Sequence, residues 1–146
     1  ADVYKVYDQK RATYLAMKVL HENLAEDKVF LRRFKREAHN LAKLKHPHIV
    51  HVDDFRQSSG CAWLRMELVE GGSLAEVMKA ADGPLPESEV RTILEQILTG
   101  LSYAHEQGVV HRDLKPSNVL VTVKDSRPVV KIIDFGIAQA FFRRYA

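Results

Sequence analysis

Apolar and polar residues alternate through "DVYKVYD" (2–8), and "TYLAMKVL" (13–20) is β-favouring and apolar apart from Lys18, so the chain opens with strands. The period then changes. Across "LAEDKVFLRRFKREAHNLAKLKH" (24–46), Phe30, Phe34, Leu41 and Leu44 fall on one stripe at helical spacing, and the proline of "HPH" ends the helix. "IVHVDDF" and "CAWLRMELV", joined by the turn "QSSG", read as a hairpin. "EGGS" (70–73) marks a break, and a short helix follows from about Leu74 to Ala81. Over 87–106, Val90, Ile93, Leu94, Ile97, Leu98, Leu101 and Ala104 form a broad apolar face, and Pro86 with Glu87 and Glu89 suits the start of a long helix. Strands "VLVTV" (119–123) and "VVKIID" (129–134), joined by the turn "KDSRP", close the pattern, and the tail "FGIAQAFFRRYA" takes no assignment.

The same periods place three charges where burial should exclude them. Alternation puts Lys18 on the face of Tyr14, Ala16 and Leu20. An edge-strand lysine reaching out to water would give the same pattern. Glu37 lies on the stripe of Phe30, Phe34, Leu41 and Leu44, which argues against a mere surface pair with Arg33. A buried carboxylate needs a cation, and Lys18 is a candidate. Asp134 ends "VVKIID" on the face of Val130 and Ile132, where it could equally be a strand-end turn former.

Composition narrows the setting. With 146 residues, 46% hydrophobic and 28% charged, the chain has the balance of one modest domain or two small lobes. The net charge of +3 is scattered among acids, so no nucleic-acid partner is expected. A single cysteine, Cys61, excludes an intramolecular disulfide and fits a reducing, intracellular setting. No apolar run approaches the roughly 18 residues of a membrane span, and the N-terminus lacks signal-peptide form. A soluble cytoplasmic protein, or a cytoplasmic domain of a longer one, is expected. His46, His48 and His51 lie close in sequence, yet no cysteine pair is nearby and zinc is not expected.

"VVHRDLKPSN" (109–118) sets His111, Arg112, Asp113, Lys115 and Asn118 directly after two valines, either as a solvated charged turn or as a loop holding groups for chemistry. Together with "LAMK" (15–18), "FKREAHNLAKLKHPHIV", "MELVEGGSL" and "DFG", it resembles a protein kinase of the eukaryotic (Hanks) type, with the motifs in family order. "VYKVYD" and "IIDFGIAQ" have the flavour of bacterial members. The resemblance implies an α+β, two-lobed fold: an antiparallel sheet with one regulatory helix, then a mainly helical lobe. It implies an N-lobe and hinge over 1–70 and a partial C-lobe over 71–146. It also implies ATP, Mg²⁺ (or Mn²⁺) and a protein substrate carrying serine or threonine, since Asp-x-Lys-Pro-x-Asn resembles the serine/threonine class.

By the same resemblance, Lys18 holds the α- and β-phosphates and Glu37 fixes Lys18, while Asp134 and Asn118 bind the metal. Asp113 takes or orients the proton of the attacking hydroxyl, and Lys115 sits as a point charge near the transferred group. Backbone groups of Glu67, Leu68 and Val69 would meet adenine, and Met66 would guard the rear of its pocket. Val3 and Ala16 would lie above adenine and Leu120 below it, with Ser73 near the ribose. His111 and Phe135, with Leu41 and Val52, would form a packed column, and Arg112 would pair with an activation-loop phosphate.

The pattern also departs from the family. Ala1 falls where the last glycine of the phosphate loop should be, and no Ala-Pro-Glu follows "DFG". The expectation is therefore a kinase domain truncated at both ends and inactive alone. The exposed face of helix 87–106 would need missing helices or a partner to cover it. A non-catalytic, kinase-like nucleotide-binding or scaffolding module is the alternative.

Overall fold

The computed structural model describes residues 2–135, apart from the side chains of Asn23 and Leu24. These residues fall into two compact units, one of 2–45 and 51–68, the other of 46–50 and 69–135. The tail from Gly136 lies outside the described residues, as does Ala1.

The first unit is a four-stranded antiparallel sheet carrying a helix. Its strands are β1 (Asp2–Asp8), β2 (Thr13–Val19), β3 (Val52–Ser58) and β4 (Cys61–Glu67), ordered β1-β2-β4-β3. Direct pairing of Ala16 with Met66 and Lys18 with Leu64 places these four residues on one face of the sheet. Against β3 packs the helix α2 (Lys28–Ala42), whose Phe30, Phe34, Ala38 and Leu41 are buried. The rings of Phe34 and Phe55 meet at 5.5 Å. All four apolar positions of the expected stripe, Leu44 included, are buried, and Glu37 between them is half-buried.

One boundary is corrected. The helix expected over 24–46 is two pieces, α1 (Glu22–Ala25) and α2, because the Asp27 side chain accepts the Val29 and Phe30 N–H groups and caps α2. A second carboxylate, Asp53, sits at the register shift between Val52 and Asp54. Both Arg11, from the β1–β2 turn, and Arg65 bond it, the latter at 2.7 Å. Burial alone would push the Asp53 carboxyl up, but its bonds to Arg11 and Arg65 and their charges outweigh that and hold it below its ordinary value.

The second unit holds a small antiparallel sheet, β5 (Gly72–Ser73), β6 (Val119–Lys124) and β7 (Arg127–Ile132), with helices α3 (Leu74–Ala80) and α4 (Glu87–Glu106). Gly71 can have no side chain, since a Cβ there would lie 2.4 Å from the Val121 carbonyl oxygen. The broad apolar face of α4 divides in two. Ile93, Ile97 and Ala104 are buried on the side that packs against β7, whereas Leu94 and Leu98 stay 51% and 62% exposed.

The β6–β7 connection is also tighter than "KDSRP" suggests. Asp125 and Ser126 alone make the turn, both at positive φ (52° and 61°), the two-residue geometry that matches strand twist. Arg127 and Pro128 therefore belong to β7, and the strand ends at Ile132 instead of Asp134. Ile49 and Val50, expected in the hairpin with 61–69, instead lie along the outer edge of β7, with Val50 N–H donating to the Ile132 carbonyl at 2.9 Å. Gly100 makes room for His48 and Ile132, because a Cβ there would press within 3.3 Å of the His48 carbonyl and the Ile132 side chain.

Candidate active site

The loop 109–118 leaves α4 through Gly108, at φ 76°, the left-handed conformation that commonly stops a helix. His111, only 2% exposed, ties the loop together. Its Nδ1 accepts the Asp113 N–H at 3.1 Å, so Nε2 must carry the proton that it donates to the Ile133 carbonyl at 2.7 Å. The ring also meets Phe135 edge-on at 4.6 Å. One imidazole thus joins the loop to the segment carrying Asp134. Of the expected column, this contact is the part that falls within one unit; Leu41 and Val52 are buried in the other.

Asn118 closes the loop from its far end. Pro116 starts a single 3₁₀ turn through Asn118, where a missing N–H costs nothing. Asn118 is 8% exposed, and its Nδ2 donates to the Asp113 carbonyl at 2.8 Å and reaches the Asp113 carboxylate at 3.4 Å. The Lys115 ammonium stands 3.4 Å from that carboxylate. Asp113 is therefore held by its N–H, its carbonyl and its carboxylate at once. Arg112 beside it, and Asp134, take positive φ (72° and 60°), a backbone form that persists in non-glycine residues only where the surroundings enforce it.

The Ile133 N–H donates to the Asn118 carbonyl at 2.9 Å, which ties the backbone just before Asp134 to the end of the loop. The donor set fits a hard divalent cation. With Nδ2 committed to Asp113, Asn118 keeps an amide oxygen, and Asp134 adds a carboxylate; magnesium takes one or two such ligands and completes its shell with phosphate and water.

The remaining expected residues sit as follows. In the first unit Lys18 is half-buried on β2, opposite Val3, and Glu37 is half-buried on α2. Ala16 and Met66 are buried cross-strand partners, while Val3 is exposed. Glu67 already gives its N–H to the His51 carbonyl (2.9 Å), and its Oε1 accepts the His51 N–H (3.1 Å), so Glu67 has no N–H to offer a base edge. Leu68 closes the first unit and Val69 opens the second. In the second unit Ser73 and Leu120 are strand partners. Ser73 Oγ accepts the Glu76 N–H and caps α3, which leaves its hydroxyl proton to donate.

Two side chains have structural work that the motifs do not announce. Gln96 on α4 and His48 both bond the β7 backbone. Gln96 lies on the flank of an amphipathic helix, where a glutamine carries no pattern of its own. His46 accepts the His48 N–H through Nδ1 at 3.0 Å; burial first, then His48 and Lys131 nearby, push its imidazole below the usual histidine range.

With an α+β architecture and a loop of this geometry in place, the class is settled: residues 1–145 match the protein kinase domain, and the chain belongs to that family. Bacterial kinases are among its relatives. It is 40% identical over 140 residues to the serine/threonine-protein kinase PrkC of Bacillus subtilis, covering 96% of this chain and 21% of that protein. It is 38% identical over 139 residues to the serine/threonine-protein kinase PknE of Mycobacterium tuberculosis, covering 95% and 24%. The kinase domain of Mycobacterium tuberculosis PknI superposes with a TM-score of 0.81 at 37% identity, over 92% of this chain and 53% of that one. The chain thus spans about a fifth to a quarter of the length of these curated relatives and about half of the solved domain. Protein kinases generally use ATP and Mg²⁺. Among the described residues no helix is long and apolar enough to cross a membrane.

Proposed function

We propose that the protein transfers the γ-phosphoryl group of ATP to serine or threonine hydroxyls of a protein substrate, with Mg²⁺ as the preferred ion. The observation that carries this reading is the three-point hold on Asp113, by His111, Asn118 and Lys115. A residue whose backbone is held on both sides, with an amide and an ammonium each 3.4 Å from its carboxylate, suits a group that must meet one hydroxyl in one orientation.

In this reading the substrate oxygen attacks the γ-phosphorus, the bond from that phosphorus to the β-phosphate oxygen breaks, and ADP leaves. The hydroxyl proton passes to the Asp113 carboxylate. Lys115 offsets charge on the transferring oxygens. Asn118 Oδ1 and the Asp134 carboxylate hold the metal, which neutralises phosphate charge when bound. Lys18 holds the α- and β-phosphates and is oriented by Glu37. Val3, Ala16, Met66 and Leu120 supply apolar contacts to adenine. The Glu67 carbonyl and the Leu68 and Val69 backbone supply its polar ones, and the Ser73 hydroxyl donates to ribose.

We take 1–70 as the kinase N-lobe with hinge and 71–146 as part of the C-lobe; the division of the described residues after Leu68 supports the boundary, while 46–50 group with the second unit. The exposed Leu94 and Leu98 of α4 are the face on which further kinase helices, or a partner, would pack. A nucleotide-dependent kinase of this kind works in the cytoplasm, where ATP is available.

The test is phosphate transfer by the intact protein to matched peptides whose single acceptor is serine, threonine or tyrosine. Transfer to serine and threonine with little to tyrosine is expected. ATP binding without transfer to any of the three would instead mean a scaffold, and preference for tyrosine would remove the substrate class.

A further inference from the structure

We propose that Gln96 is a positioning residue for Asp134: its carboxamide stands in for a neighbouring strand along β7 and fixes the register that delivers Asp134. The inference rests on the reading of Asp134 as a metal ligand.

β7 is an edge strand, so the backbone groups of Pro128, Val130 and Ile132 face away from β6. Because Pro128 lacks an N–H, the outward edge carries five polar groups, and each needs a partner. Gln96 Nε2 donates to the Pro128 carbonyl at 3.0 Å, and Gln96 Oε1 accepts the Val130 N–H at 2.7 Å. The His48 ring lies 2.9 Å from the Val130 carbonyl, which can only accept, so Nδ1 carries a proton and donates it. The Ile132 N–H donates to the His48 carbonyl at 2.9 Å, and the Ile132 carbonyl accepts from Val50 N–H at 2.9 Å. All five groups are matched, two of them by one side chain.

Only a primary carboxamide offers a donor and an acceptor side by side in this way. Glutamate has no donor for Pro128, and leucine of similar size has neither group. Proline at 128 is itself consistent with this arrangement, since its missing N–H falls where no strand pairs. Two residues beyond Ile132, Asp134 takes its left-handed backbone (φ 60°). A strand that slid or frayed would release that conformation and turn the carboxylate away. His111 and Asn118 grip Ile133 directly; Gln96 anchors the strand upstream of them.

The experiment compares wild type, Gln96→Leu, Gln96→Glu and Ile93→Val in the intact protein. Ile93→Val is the control for simple loss of stability, since Ile93 is a buried residue of the same helix. Amide exchange in metal-free protein comes first. Gln96→Leu should speed exchange at Val130, Ile132 and Ile133 by about tenfold, and Ile93→Val should not single out these amides. Activity is then measured against Mg²⁺ concentration. Gln96→Leu should raise the Mg²⁺ needed for half-maximal rate by about tenfold with the acceptor-peptide KM unchanged, and Gln96→Glu, which keeps one bond, should fall between. Unchanged exchange overturns the clamp. Faster exchange with the wild-type Mg²⁺ requirement, or an equal Mg²⁺ shift in Ile93→Val, reduces Gln96 to a structural role and overturns the inference alone. A wild type that needs no divalent cation for transfer removes the reading of Asp134 and the inference with it.

Discussion

His111 is buried, neutral and bonded at both ring nitrogens, and so serves one peptide N–H and one carbonyl, the latter 22 positions away in the chain. Replacing it with phenylalanine keeps an aromatic ring edge-on to Phe135 but strips both bonds, leaving two part-buried backbone groups unserved. His111→Phe should therefore cost about 2–4 kcal/mol in thermal or denaturant unfolding, each orphaned group contributing about 1–2, the lower part of the range for a buried group because both are only part-buried. It should also slow phosphate transfer, because Asp113 loses the anchor on its N–H. At this scale most of the candidate site is legible in the sequence. Asp113, Lys115, Asn118 and Asp134 stand in motifs whose spacing is itself the signal, and Lys18 and Glu37 betray themselves as charges on apolar faces. Gln96 was not legible. Its importance depends on Pro128 and Val130, which reach it only through the fold.

Among the elements, α2 carries Glu37, which in the proposed reading orients Lys18. Its apolar stripe was readable from period alone, but its beginning was not: "LAEDK" continues the helical pattern through Asp27 while the Asp27 side chain bonds Val29 and Phe30 N–H and starts the helix afresh. Capping is a competition between side chain and backbone that periodicity does not register. Asp27→Ala should remove about 1 kcal/mol of stability, with faster amide exchange confined to the first turn of α2. A uniform loss of protection along α2 would contradict that assignment. The β6–β7 turn teaches the complementary lesson. Asp125 and Ser126 take left-handed backbone without a glycine to advertise it, so the sequence pattern places the start of the strand two residues late.

For the molecule as a whole, the four-stranded sheet of the first unit is tied across its strands by Arg11, Asp53 and Arg65. The register shift that brings Asp53 to these arginines cannot be read from "HVDDF", where two adjacent aspartates look alike. Asp53 has a lowered folded-state pKa relative to its ordinary 3.8. A carboxyl of that kind stabilises the fold above 3.8, and the contribution disappears as pH falls through the lower, folded value. The difference in Tm between wild type and Asp53→Asn should therefore be largest near neutrality and shrink below about pH 4. A difference that grows on acidification would contradict the ion pairing.

The fold class and the candidate loop at 109–118 followed from the family resemblance and most of the element order from period, whereas the pinning of β7 and the placing of Asp53 needed three dimensions. The central claim is that Asp113 directs phosphate transfer in a metal-nucleotide site. The most direct measurement is the single-turnover rate of transfer from Mg²⁺-ATP to a serine peptide, in the intact wild type and in Asp113→Asn, with ATP affinity measured alongside. Loss of proton acceptance should lower the rate by about 10²–10⁴-fold while ATP affinity stays within about twofold. Equal rates in the two proteins would contradict the account.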